Sequence, residues 1–157
     1  MAANLTGASS VGSTLSAVAT APATYDASGY AALTWVPVGE IKDVPAFGKT
    51  RNSISFTPLA SGVTQKYPGV VDAGKISLSF LSNTDDAGQI VLKTGLGSSA
   101  AISIKVASQN GDVYYFRAIV LSFKLAIGDA NGLTMATCDL DITATTAGVS
   151  IVESLAA

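Results

Sequence analysis

Strict two-residue alternation of apolar and polar side chains is the feature that most constrains this chain. From Lys75 to Leu81, Ile76, Leu78 and Phe80 alternate with Lys75, Ser77 and Ser79. From Ala101 to Ala107, Ile102, Ile104 and Val106 share one phase. From Leu133 to Thr145, Ala136, Cys138, Leu140 and Ile142 alternate with Thr137, Asp139, Asp141 and Thr143. A period of two puts each set on one face of a strand, with one face buried and the other solvated. Val113–Ile127 reads as a further long strand, with Val113, Tyr115, Ile119, Leu121, Phe123 and Leu125 expected inward. The glycine-flanked Gly128-Asp129-Ala130-Asn131-Gly132 joins it to the next strand as a hairpin. Arms of 12–15 residues at ~3.3 Å each reach roughly 40 Å. That is longer than a compact sandwich needs.

One helix is expected, over about residues 84–94. Asn83 is the expected cap, Asp85 and Asp86 suit the positive end of the helix dipole, and Gly95 and Gly97 end it. The fold class is therefore mainly β, with one flanking helix. Leu33–Val44 reads as a first long strand with Val36, Val38 and Ile41 inward, Ile54–Thr57 as a short one, and Val149–Val152 as a terminal strand or arm. Residues 1–31 are dominated by Ala, Ser, Thr and Gly, with no aromatic before Tyr25. They read as an arm that orders only against another subunit, the alternative being a disordered tail. Residues 32–157 form a single domain.

Between the early strands lies a connection marked by Pro45, Gly48 and Asn52, then by Gly62, Pro68, Gly69 and Gly74. Tyr67-Pro68-Gly69 favours a turn there. A loop that long is functional or disordered. The functional reading makes it a contact surface for a neighbouring copy, with Pro45, Phe47, Lys49, Arg51, Lys66, Tyr67, Pro68 and Asp72 as candidates.

Charge content supports burial in an assembly. Only 13% of the 157 residues are charged, against about 25% in ordinary soluble domains. Few charges and many small neutral residues suit a surface largely covered by partners. The net charge is −2 and no basic cluster exceeds Lys49 and Arg51, which argues against tight sequence-independent nucleic-acid binding. No apolar run approaches the ~20 residues that span a bilayer, so membrane insertion is not expected.

The usual catalytic chemistry is missing. The chain has no histidine, so serine triads, cysteine–histidine dyads and histidine metal sites are not available in their ordinary forms. Cys138 falls on the apolar face of its strand and reads as core. Asp139 and Asp141 project from one strand face about 6.6–7 Å apart. That spacing could suit a glycosidase pair or a calcium site, but no supporting aromatic platform or third acidic ligand lies nearby in sequence. Gly95-Leu96-Gly97 follows a helix instead of opening one, the wrong context for nucleotide phosphates. No enzyme activity, cofactor or metal is expected.

The order Trp35, Val38-Gly39-Glu40-Ile41, Gly48, Arg51, Ile54, Thr57, then Pro68-Gly69 and Asp72-Ala73-Gly74-Lys75-Ile76-Ser77-Leu78 resembles the major tail tube proteins of long-tailed bacteriophages. The resemblance spans roughly residues 33–145 and includes the helix and the long hairpin after it. It implies a β-sandwich or barrel-like protomer, six of which form a ring. Rings stack into a tube whose inner sheets line a channel for DNA. Related tubes serve contractile tails, gene transfer agents, pyocins and type VI secretion.

On that resemblance the partners are further copies of the chain, a tape measure protein and tail-tip or terminator proteins. DNA passes through the lumen without specific binding. The protein is expected in the virion tail, assembled in the host bacterial cytoplasm. Thr137, Asp139, Asp141 and Thr143 are candidate lumen residues, the acidic pair keeping the lining from gripping DNA. Alternatives are an inner-tube subunit of a secretion system or pyocin, and a carbohydrate-binding or adhesion β-sandwich.

Overall fold

A computed structural model describes residues 9–156. The elements run β1 (Thr14–Val18), α1 (Ala27–Ala31), β2 (Val36–Pro37), β3 (Ile41–Asp43), β4 (Thr50–Phe56), β5 (Gln65–Asp72) and β6 (Lys75–Leu81). They continue with α2 (Ala87–Leu96), β7 (Ile102–Ala107), β8 (Val113–Ala126), β9 (Met135–Thr143) and β10 (Ile151–Ser154). Eight strands make one curled, half-barrel sheet in the order β2-β1-β7-β8-β9-β6-β3, with β10 also paired to β8. β4 and β5 pair only with each other and form a separate two-stranded sheet.

The alternating runs place the core as their pattern requires. Ile76, Leu78 and Phe80 of β6, Ile102, Ile104 and Val106 of β7, and Ala136, Cys138, Leu140 and Ile142 of β9 are all buried in one cluster. The α2 helix packs on that face. Leu92 is fully buried there, and Gly88 and Gly95 lie on the helix's inner side. A Cβ on Gly88 would land on the Pro37 carbonyl and the Val38 Cα, and one on Gly95 would meet Val120 at 3.0 Å. Close approach thus requires glycine at position 88 and leaves little room at position 95, which outweighs their poor helix propensity.

The helix begins later than Asn83. Asp86 is its N-cap and accepts from the Gln89 N–H at 3.0 Å, while Asn83 caps only a local turn by accepting from the Asp85 N–H. Gln89 is buried and fully bonded. It donates to the Gly39 and Leu81 carbonyls at 3.2 and 2.9 Å and accepts from the Asn83 N–H at 2.9 Å. The helix start is thereby fastened to the end of β6 and to the turn before β3.

Four expectations are corrected. First, residues 14–31 fold on their own protomer, so the arm reading fails there; residues 1–8 lie outside the described residues. β1 pairs with β7 over five positions and contributes buried Leu15 and Ala17. The short α1 is a second helix, capped by Asp26, whose carboxylate accepts from the Gly29 N–H at 2.7 Å. Its Tyr30 stacks on Tyr115 with ring centroids 5.3 Å apart, and Trp35 leans on the same ring.

Second, Leu33–Val44 is not one strand. It breaks at Gly39 and Glu40, the latter in left-handed backbone at φ 61°, and yields the two short edge strands β2 and β3. Third, β8 does not hold one phase. Tyr114, Phe116, Ala118 and Val120 point to the core cluster in its first half, and Phe123 follows after a register shift between Val120 and Ser122. Leu121 is the extra residue, and such a bulge reverses the face of everything beyond it. Tyr115 is buried on the opposite face, under α1. Fourth, Pro58–Gly74 is not a structureless loop, because β5 runs through it.

Candidate assembly surface

The β4–β5 hairpin leaves the body of the protein as a finger. Register places Ile54 opposite Tyr67 and Phe56 opposite Gln65 on one face, and Ser53 opposite Pro68 and Ser55 opposite Lys66 on the other. Between Arg51↔Val71 and Ser53↔Pro68, β5 holds one more residue than β4, which makes a bulge at Gly69 and Val70. A Cβ on Gly69 would lie 2.8 Å from the Asn52 carbonyl oxygen, so only glycine fits this crossing without a shift. Pro68 is compatible with this strand because each strand of a two-stranded ribbon has one open edge, toward which a proline nitrogen can face without losing a ladder bond. The Tyr67-Pro68-Gly69 turn expected from sequence is therefore a strand with a kink. The tip closes by the Gly62 N–H donating to the Pro58 carbonyl at 2.9 Å, with Gly62 at φ +66°.

One face of this finger is apolar and uncovered. Ile54, Phe56 and Tyr67 are 59%, 58% and 50% exposed, and Leu59 at the tip is wholly exposed. Every residue of β4 is exposed. A lone two-stranded hairpin is at best marginally stable in water. The other face carries Arg51, Lys66 and the small Ser53 and Ser55.

The candidate contact residues divide into two groups. Lys49, Arg51, Lys66, Tyr67, Pro68 and Asp72 are all exposed on the finger or at its root. Pro45 and Phe47 precede it and are half-buried. The Phe47 ring packs on Tyr114 and Phe116 at 5.6 and 5.7 Å, inside the protomer's own core. The sequence reading missed Ile54, Phe56 and Leu59, although alternation at 54 and 56 was the signal for them.

Two stretches of edge inside the large sheet lack a strand partner among the described residues. β7 pairs with β8 no further than Ala118, leaving Ile119–Ala126 open on that side. β3 pairs with β6 only at Phe80 and Ser79, leaving Lys75–Leu78 open. The terminal strands of the sheet, β2 and β3, are only two and three residues long. Open edges of this kind are templates for pairing with another chain. Leu125, Ile127 and Leu133 near the β8–β9 tip are also well exposed.

Thr137, Asp139, Asp141 and Thr143 stand together on the sheet face opposite the core, as alternation requires. They adjoin Lys75, Ser77 and Ser79 of β6, and Arg117, Ser122 and Lys124 of β8. The Asp139 carboxylate accepts from Ser77 Oγ at 2.6 Å and from Ser122 Oγ at 3.0 Å. Those hydroxyls, the Ser77 one foremost, hold the Asp139 carboxyl below the usual carboxylate range, and Lys124 and Lys75 act the same way. Asp139 thus serves as a pin across three strands. Cys138, on the other side, is buried, and desolvation pushes its thiol up to about 12. No helix among the described residues is long and apolar enough to cross a membrane.

No family model and no curated protein matches the chain. Solved structures do. A chain of the extracellular contractile injection system PVC, from its sheath/tube terminator in the extended state, has a TM-score of 0.66 at 12% identity, covering 98% of this chain and 100% of that one. A chain from the tail of an empty GTA particle with C6 symmetry has a TM-score of 0.61 at 14% identity, covering 92% and 96%. The SPP1 tail tube has a TM-score of 0.60 at 11% identity, covering 90% and 76%. At these identities the likeness is one of fold, and the fold is that of tail tube proteins.

Proposed function

We propose that this chain is a non-enzymatic, self-assembling subunit of a bacteriophage tail tube. Copies associate head to tail into rings of six, and the rings stack into a hollow conduit through which DNA leaves the virion. A single observation carries the reading: a tube-protein fold that leaves its own apolar finger and two strand edges uncompleted. Contacts between an edge of one copy and a different edge of the next are heterologous, and they close into a ring when the rotation permits. Ile54, Phe56 and Tyr67 are already about half covered, so completing their burial contributes about half of the ~1.5–3 kcal/mol of a fully buried side chain, which offsets part of the cost of ordering the contact.

In this reading Lys49, Arg51, Lys66, Tyr67, Pro68 and Asp72 surround the contact between copies. The face carrying Thr137, Asp139, Asp141 and Thr143 lines the lumen. Mixed single charges there, with no basic run, let DNA slide without being gripped. A tape measure protein sets the length of the tube, and terminator and tip proteins cap its ends. The likeness to a contractile injection system chain over nearly the full length favours a second reading, an inner tube with a different cargo.

Negative-stain electron microscopy of the purified chain, with and without a tail-tip initiator complex, tests the proposal. Rings or tubes with a central channel are the expected result. Small uniform particles under both conditions at high concentration overturn it.

A further inference from the structure

Arg117 is the sole charged residue of β8 before Lys124. It stands on the polar face between Ser103 of β7 and Thr143 of β9. With Tyr25, Tyr30, Thr143, Thr145 and Thr146 it lines a cavity of about 320 Å³. No carboxylate lines that cavity. Asp141, the next acid along the face, stands opposite Ile119 and Lys75, outside the lining.

The guanidinium is left incompletely satisfied. Its Nη2 donates to the Ala101 carbonyl oxygen, and its buried Nε has no hydrogen-bond partner among the described residues. A half-buried guanidinium with no carboxylate in the cavity lining is under-compensated. The terminal nitrogens of the guanidinium, and not the enclosed Nε, can take two oxygens of one carboxylate or phosphate group, and the threonine and tyrosine hydroxyls of the wall are further donors. Burial raises the Tyr30 phenol while Arg117 draws it back, so that hydroxyl keeps its proton and can donate.

We propose that this cavity is an oxyanion site, with Arg117 binding a carboxylate or phosphate group and the Tyr and Thr hydroxyls fixing its orientation. The group is carried either by a small free anion or by an acidic side chain of a second copy of the chain. Only the second source rests on the tube reading.

The full chain is titrated with inorganic phosphate and, separately, with acetate, while amide NMR shifts are followed. Sodium chloride at equal ionic strength is the control. Saturable shifts centred on Tyr25 and Thr143–Thr146 are expected, weakened at least tenfold by Arg117→Gln and less by Arg117→Lys. Should the glutamine variant fail to fold, Arg117→Lys and Thr146→Val carry the comparison. Sedimentation velocity separates the sources: an acid from a second copy makes Arg117→Gln, or added phosphate, weaken self-association at least tenfold. Phosphate binding by a chain that never assembles supports the site while removing the tube reading. Equal shifts with sodium chloride, or no saturable binding together with unchanged self-association of the variants, overturn the proposal.

Discussion

Ser122 meets Asp139 at 3.0 Å because Leu121 is an extra residue in β8. Were β8 unbulged there, the ladder from Val120 would carry Leu121 to the position opposite Asp139 and turn Phe123 to the polar face. With the bulge, Phe123 packs on Phe80 in the core, ring centroids 5.7 Å apart, and Leu121 is left 44% exposed. Asp139 answers the bulge from β9 and reaches Ser77 of β6 on its other side. One carboxylate therefore fixes the relative register of the three strands that carry the polar face.

Asp139 should make stability depend on acid. Its carboxyl is held below the usual range in the folded protein, so the unfolded chain takes up its proton first as pH falls. Its contribution is complete above the unfolded carboxylate value of about 3.9. It is lost as pH drops through the lower folded value. Urea unfolding of wild type and Asp139→Asn from pH 7 to pH 2 should show a stability gap that is constant near neutrality and closes at the acid end. A gap independent of pH would remove the pinning role.

Gly88 should be irreplaceable and Gly97 should not. A methyl group at Gly88 meets the backbone of Pro37 and Val38, which cannot yield as a side chain would, whereas at Gly97 the nearest atom is the Thr94 carbonyl oxygen at 3.7 Å. Overpacking of this kind costs about 1–3 kcal/mol. Gly88→Ala should lose at least that much in chemical denaturation, and Gly97→Ala should stay within about 0.5 kcal/mol of wild type.

The strands that alternate on a single phase were legible: β6, β7 and β9 lie where Ile76, Ile104 and Leu140 place them. Elements that depend on partners were not. β1 has only Leu15 and Ala17 to bury, too little apolar signal to stand out in an Ala-, Ser- and Thr-rich segment, and its order comes from pairing with β7. β5 was hidden by Pro68-Gly69, a turn signature that here makes a bulge against Asn52. The phase of β8 was obscured because the sheet is covered on both faces at Tyr115 and Phe116, and because the bulge comes midway. Alternation put Asp139 and Asp141 on one face, but the serines that bond Asp139 come from strands 62 and 17 residues away. The Arg117 cavity joins residues near 25–30 with residues near 143–149, a convergence no local pattern announces.

Cys138 should be silent in the folded state. Its side chain is buried between strands, and its thiol is pushed up to about 12, so almost no thiolate exists at pH 8. Reaction with a disulfide reagent at pH 8 should wait for unfolding and should speed up with denaturant in step with loss of the native circular dichroism. Rapid labelling of the native protein would show that β9 opens readily, contrary to its place between β6 and β8.

Breaking the finger's apolar face should abolish assembly while sparing the fold. Ile54, Phe56 and Tyr67 share that face and are mostly exposed, so Phe56→Ser or Ile54→Lys removes little that the protomer itself buries. Thermal unfolding of the unassembled protein should shift by no more than the few degrees that correspond to about 0.5–1 kcal/mol. Particle formation under the microscope should disappear, and light scattering should report single protomers. Changes to Ser53 or Ser55 on the opposite face provide the comparison and should affect assembly less. A Phe56→Ser protein that forms tubes as readily as wild type would separate the finger from assembly and leave the open edges of β6 and β8 as the contacts between copies.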